Sequence, residues 1–435
     1  MKAPDIPPAV VAGAEIREQR LRNGLRVLTL ERHLDPVVAV LLYYRVGSRN
    51  EREDEAGLSH FLEHMMFKGS RRFGKGEVDK RVTALGGSIN AFTTSDHTAY
   101  WFELASDRWE LALEIEADRM SGLALDEGEF NSERAVVLEE LSMGEDDPWR
   151  NLTRAVQEVL FPRHPYRRPV IGYADVLEAL DVEDMRDYYQ RFYHPGNATL
   201  VLCGDVRPSA AMKLVRKHFG GLDGGPDFES ADCFRPVLNE PKGEHRLTTS
   251  WDDPAARVCM AWPTAPFTSD DDFILDLVSG VLSSGRLSRL HRRIVLEQGL
   301  ATSISTSNDA RVDGGSFWIM AQCVQGVEPE TLERAIDEEL AQLISEPVTA
   351  AELSRAKKSL AAAAAYDGET VTDLAEDIGA WAVDGDWRLI LERTARRNKV
   401  TAAKLKACAG RYLARERRVV GWSLPRADRS AEGRA

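Results

Sequence analysis

AGLSHFLEHMMFKGS (residues 56–70) and GGSINAFTTSDHTAYWFELA (86–105) set the pattern of this chain. The first reads as a helix over 56–67 that ends near Gly69. The second reads as two strands joined by a polar turn at Ser95-Asp96. Working outward, LRVLTLE (25–31) and VVAVLLYYRV (37–46) are β-rich runs. Long helical patterns follow at about 108–122, 126–145, 150–161 and 181–193. TLVLCGDV (199–206) reads as a strand and 208–218 as a helix. GLDGGPDFESADCFRPVLNEPKGEH (221–245) is rich in Gly, Pro and acidic residues, which suits an interdomain linker.

The second half repeats the order of the first. RVCMAWPTA (257–265) is a strand, with helices expected at 271–283 and 286–297. ATSISTS (301–307) and GGSFWIMAQCV (314–324) read as paired strands, a long helix lies at 329–345, and another begins near Ala350. RWELALEIEADRMSGLALDEGEFNSERAVV and PETLERAIDEELAQLISEPVTAAELSRAKK share a helix, a short break and an acidic helix start. The expected organisation is two copies of one α+β domain, 1–222 and 246–435, joined by 223–245, with a metal motif only in the first.

Composition bounds the function. The chain has 435 residues, 43% hydrophobic and 29% charged, enough for sizeable cores. No apolar run approaches the roughly 20 residues of a membrane helix. The start, MKAPDIPPAVVAGAEIREQR, has no apolar core behind a basic end, so a cytoplasmic protein is expected as the sequence stands, or a periplasmic one if a signal peptide has been removed. A net charge of −14 disfavours nucleic acid and mildly favours basic ligands. The cysteines Cys203, Cys233, Cys259, Cys323 and Cys408 are scattered with no CxxC pair, which points to buried free thiols rather than disulfides or a thiolate metal site.

On a helix, residues three and four apart share a face, so His60 and His64 can point at one ion with Glu63 beside them. Neutral imidazoles and carboxylates suit Zn²⁺, and a catalytic zinc usually has three protein ligands plus an open position. The order H-x-x-E-H reverses the commoner H-E-x-x-H and is the inverzincin pattern. The helix ERAVVLEELSM offers Glu133, Glu139 and Glu140 as a third ligand. Glu133 and Glu140 are seven apart and share a face, while Glu139 is rotated about 100° away. The run Ala135-Val136-Val137-Leu138 predicts a largely buried helix, on which a carboxylate needs a partner such as a metal. Glu140 is then one candidate for the ion, with Glu133 hydrogen-bonding a ligand. An isolated H-x-x-E-H also arises by chance, and exposed helices often carry glutamate pairs. His97, in TTSDHTAYW, reads as a turn histidine, with a further site residue as the alternative. His164 and His194 precede prolines in loops and are expected to pack. His33, His218, His245 and His291 have no partner at ligand spacing.

HFLEHMMFKGS, GGSINAFTTSDHTAYWF, HPYRRPVIG and FYHPGNATLVLCGDV together resemble the pitrilysin and insulinase family, within it the short members related to mitochondrial processing peptidase. The resemblance covers nearly the whole chain. It implies two domains, each a mainly antiparallel six-stranded sheet packed with helices, and a chamber closed by two subunits in which unfolded peptides are cut at one zinc per chain. It implies His60, His64 and Glu140 as ligands, Glu63 as general base, Glu133 as a supporting catalytic glutamate, and Asn90, Ala91 and Phe92 at the centre of the strand that receives substrate. Gly86 and Gly87 are expected to leave room for that substrate's backbone.

One departure stands out. Active members usually carry an Arg and a Tyr seven positions apart in the second half, which hold the substrate and the oxyanion. The matching segment here is VLEQGLATSI, with Val295 and Thr302 at those positions, and no tyrosine lies between Tyr193 and Tyr366. Some members work as unlike pairs, one chain supplying zinc and the other the Arg/Tyr pair. This chain resembles the zinc-bearing partner, with a weak homodimeric peptidase as the alternative. Other relatives are structural subunits that have lost the zinc residues, all of which are retained here.

Overall fold

The structure is a computed structural model that describes residues 9–11, 14–226, 242–366 and 368–426. Its first sheet is built from β1 (Ala9–Val11), β2 (Ala14–Arg20), β3 (Arg26–Glu31), β4 (Val37–Tyr44), β5 (Ser88–Thr93), β6 (Thr98–Ala105) and β7 (Ala198–Gly204). They lie in the order β1-β2-β3-β7-β4-β6-β5. Only β3 and β7 pair in parallel. The second sheet contains β8 (His245–Trp251), β9 (Arg257–Thr264), β10 (Ala301–Asp309), β11 (Gly315–Cys323) and β12 (Val419–Pro425), in the order β10-β11-β9-β12-β8. Its one parallel pair is β12 with β8.

The two orders match strand for strand, β5-β6-β4-β7-β3 against β10-β11-β9-β12-β8, so the repeat expected from sequence is a repeat of topology. The strand counts are seven and five rather than six and six. The first sheet gains the three-residue β1, which pairs antiparallel with β2.

The apolar runs explain the layers. In β4 every residue from Val38 to Tyr44 is buried, as for a central strand covered on both faces. The helices of the first half are α1 (Leu58–Met65), α2 (Glu77–Ala84), α3 (Glu110–Gly122), α4 (Glu127–Glu145) and α5 (Pro148–Leu160). One face of the first sheet packs α1 to α4 into a core with Leu42, Phe61, Leu62, Leu113, Phe130 and Val137. Its other face is covered by the helix Val371–Asp384, from the far half of the sequence. There Tyr43 donates to Glu376 O at 3.1 Å, and a Cβ on Gly379 would meet its ring at 2.2 Å. The second sheet is covered in the same way by α5, which buries Leu152, Val156 and Leu160 against Cys259, Ala261 and Val419.

The compact units are therefore not contiguous in sequence. One comprises Met1–Ser142, Arg168–Arg235 and Ala364–Leu391, the other Met143–Arg167, Pro236–Ala363 and Glu392–Ala435. A linear division at 223–245 separates the two sheets but misassigns the helix that covers each of them. Sequence reading also expects an α-helix over 286–297. The chain instead forms a π-helical segment, His291–Glu297, capped by Gln298 N–H donating to Arg293 O at 3.0 Å. Cys203, Cys259, Cys323 and Cys408 are buried free thiols, as expected; Cys233 lies outside the described residues. Among the described residues no helix is long and apolar enough to cross a membrane.

Candidate metal centre

The centre is assembled on α1. Leu58, Phe61, Leu62 and Met65 recur at helical spacing and are all buried, fixing one flank of this short helix in the core. Its N-terminus is anchored by Glu51, fully buried, whose carboxylate accepts from Gly57 N at 2.9 Å and Ser59 N at 2.8 Å. Two orphan donors at the start of the helix are thereby satisfied by the two carboxyl oxygens. Burial pushes the Glu51 carboxyl up to about 7, against the opposing pull of those two N–H groups. Gly57 is required here. Its φ is +99°, and a Cβ would meet Ile171 O at 2.5 Å.

With one flank buried, His60 and His64 face the opposite way, their ring centroids 4.7 Å apart. Glu140 reaches them from α4. Its Oε1 lies 3.8 Å from His60 Nε2 and its Oε2 3.5 Å from His64 Nε2. One donor atom from each residue lies within 4.8 Å of the others, the only such set of three metal-binding side chains among the described residues. A tetrahedral ion with bonds of about 2.0–2.2 Å needs donors roughly 3.4 Å apart, near the 3.8 and 3.5 Å that separate Glu140 from the two imidazoles.

Glu133, buried, does not join this set. Its Oε1 accepts from His64 Nδ1 at 3.0 Å, and its Oε2 pairs with the Lys68 ammonium. That bond places the His64 proton on Nδ1 and leaves the Nε2 lone pair facing Glu140. Burial, then the neighbouring His64, pushes His60 down to about 4, so its ring is neutral near pH 7, the form that ligates. Burial also raises the Glu63 carboxyl, with Thr93 and His64 opposing. Glu63 Oε2 accepts from the Thr93 hydroxyl at 2.5 Å.

β5 is the edge strand of its sheet, paired only with β6. Asn90 is exposed on it, and Ala91 and Phe92 are partly so. That edge lies beside α1, and on it the Ala91 N–H donates to Asn90 Oδ1 at 2.9 Å. Gly86 has open space around it, but Gly87 does not serve an incoming backbone. A Cβ there would meet Leu104 at 2.5 Å and Glu103 O at 2.7 Å, so its missing side chain makes room for β6.

Two expectations change. α4 is not largely buried: Ala135 is exposed and Val136 47% exposed, while Phe130, Glu133, Val137 and Leu141 form a single inward face. That narrow face turns Glu139 into solvent and leaves Glu140, 44% exposed at its side chain, at the face's margin beside α1. His33 and His218 do have acidic partners, Asp205 at 2.6 Å with Glu31 at 2.9 Å, and Glu110 at 2.9 Å. Asp205 and Glu110 approach through the fold and leave no local spacing to read. His164 and His194 are buried and pack as expected, and His97, in its turn, is also buried, with its Nδ1 3.0 Å from Asp384. Sequence reading missed Lys68, Glu51 and Thr93. Lys68 pairs with Glu133 of another helix, Glu51 meets α1 across a turn, and Thr93 meets Glu63 across 30 residues, so none leaves a local spacing to read.

Residues 26–173 match the family described as Insulinase (Peptidase family M16), and 179–360 match Peptidase M16 inactive domain. The Zinc protease PqqE of Helicobacter pylori is 30% identical over 371 residues, 84% of this chain and 83% of that protein. The chain belongs to peptidase family M16. Another M16 relative, an uncharacterized zinc protease of Mycobacterium leprae, is 32% identical over 351 residues, 78% of this chain and 76% of its own. The probable mitochondrial-processing peptidase subunit beta of Arabidopsis thaliana is 27% identical over 421 residues, 93% of this chain and 77% of its own. A crystal structure of a Helicobacter pylori protease matches with TM-score 0.89 and 27% identity, over 95% of this chain and 100% of that one. The M16 fold is thus shared along nearly the whole chain. Its matched inactive domain begins at residue 179, well past the histidine pair.

Proposed function

We propose that this M16 chain is a zinc endopeptidase for unfolded peptides, with one zinc held by His60, His64 and Glu140. The observation that carries this is the convergence of three donor atoms within 4.8 Å, beside a carboxylate, Glu63, that is not among them. Zinc bound there would polarise the scissile carbonyl and make water acidic enough to attack near neutral pH. Glu63 takes the proton from the attacking water and passes it to the leaving amine. The edge of β5 around Asn90, Ala91 and Phe92 receives the peptide as an added strand, so main-chain hydrogen bonds position it with little demand on sequence. The acidic balance of the chain favours basic peptides. The working form is a pair of homologous subunits enclosing a chamber, an unlike pair in preference to a homodimer.

The test is zinc analysis of the purified protein together with hydrolysis of an unstructured peptide and of a compact native protein. About one zinc per chain and cleavage of the peptide alone are expected. Efficient cutting of the folded protein contradicts a strand-addition site within a chamber.

Two substitutions probe the metal. Glu140→Gln is expected to lower zinc content, because a neutral amide is a poorer ligand; full occupancy in that variant removes Glu140 from the coordination sphere. Glu133→Ala leaves His64 free to change tautomer and tilt, and should weaken zinc binding by about 10–100-fold. Competition with a chromogenic chelator measures this, and unchanged affinity there shows that the His64–Glu133 bond does not tune the ligand.

A further inference from the structure

Thr93 is the last residue of β5, on the same alternating side as Ile89 and Ala91, which pack against the first core. Its hydroxyl lies 2.5 Å from Glu63 Oε2. A second oxygen, Thr98 Oγ1, stands directly across the strand pair at 3.4 Å. The Thr98 proton is engaged on Val46 O at 3.0 Å. The short contact wins, and the Thr93 proton goes to the carboxylate. Hydrogen bonds from a hydroxyl to an ionised oxygen are roughly twice as strong as neutral ones. One Glu63 oxygen is thereby fixed, while Oε1 takes no protein hydrogen bond among the described residues.

We propose that Thr93 is the positioning residue for the general base, tying Glu63 to the strand that receives the substrate. The inference rests on the reading of Glu63 and β5 given above. Its consequence is geometric. The carboxylate that must meet the attacking water, and the peptide whose carbonyl is attacked, are both referenced to β5. A shift of that edge moves base and substrate together instead of separating them.

Thr93→Val removes the hydroxyl and keeps the β-branched shape suited to a strand. Thr93→Ser keeps the hydroxyl and removes the methyl. Zinc content and KM for an unstructured peptide should be unchanged in both. The kcat of Thr93→Val should fall by about tenfold to a hundredfold, the scale of a misplaced catalytic group. Thr93→Ser should retain most of it. A packing role predicts the reverse order, so an impaired serine variant beside an active valine variant overturns the proposal, as does parental kcat in Thr93→Val. A second readout needs no turnover. In metal-free protein, Thr93→Val should lower Tm by on the order of 2 °C, and should leave Tm unchanged when Glu63 is already alanine. Equal shifts in both backgrounds overturn the bond. If Glu63→Gln hydrolyses peptide as fast as the parent, the base assignment fails, and the Tm cycle still decides whether Thr93 holds that carboxylate.

Discussion

Replacing Glu63 by glutamine is expected to leave zinc in place and slow peptide hydrolysis by about 10²–10⁴-fold, the usual contribution of general-base catalysis. The variant is nearly isosteric. Its amide oxygen can still accept from Thr93, which now holds Glu63 Oε2 at 2.5 Å. The three donors of the metal set, His60, His64 and Glu140, are untouched. What is lost is the capacity to take a proton. Zinc analysis and kcat on one peptide, measured on the same preparation, decide the matter. Zinc retained with turnover within a few-fold of the parent would sink the assignment of Glu63 as base.

A comparable effect is expected from supplying a partner. Attack on the peptide builds negative charge on the carbonyl oxygen, and losing one pre-placed donor there typically costs about 10²–10³-fold. The resemblance to the family implies an Arg and a Tyr where this chain has Val295 and Thr302. Val295 has no side-chain donor, and it packs against the second core from the π-helical segment. Thr302 is exposed on β10, and its hydroxyl already donates to Gln322 O at 3.3 Å. The chain alone should therefore be slow or silent. Adding a homologous chain with the Arg/Tyr pair should raise turnover about a hundredfold, the scale of one recovered donor. Val295→Arg combined with Thr302→Tyr should restore part of this without a partner. Equal turnover of an unstructured peptide with and without the partner means that the homodimer is the working enzyme.

Much of the candidate metal set was legible because it is local. His60 and His64 are one helical turn apart, and that spacing brings them together whatever surrounds the helix. Glu133 and Glu140 were legible as a pair for the same reason. Choosing Glu140 over Glu139 on chemistry alone required knowing which side of α4 faces the core. The apolar run 135–138 pointed the wrong way, since only Val137 of it is buried. Lys68, Glu51 and Thr93 were not legible as partners. Glu51 meets α1 across a turn, Thr93 meets Glu63 across 30 residues, and Lys68 gains its meaning only when Glu133 arrives from another helix.

The sequence by itself determined the main strands and helices as far as Ala350, the family, and which histidines and glutamates come together in the candidate metal set. These follow from hydrophobic period and from motifs, which act over a few residues and survive any global arrangement. Only the tertiary structure decided which helix covers which sheet. An amphipathic helix such as α5 or Val371–Asp384 records that it must bury one face, but not which apolar surface will receive it. Here each lies with the sheet of the opposite half. The tertiary structure also decided the proton on His64 and the hold on Glu63, because a hydrogen bond depends on where a partner remote in sequence is finally placed.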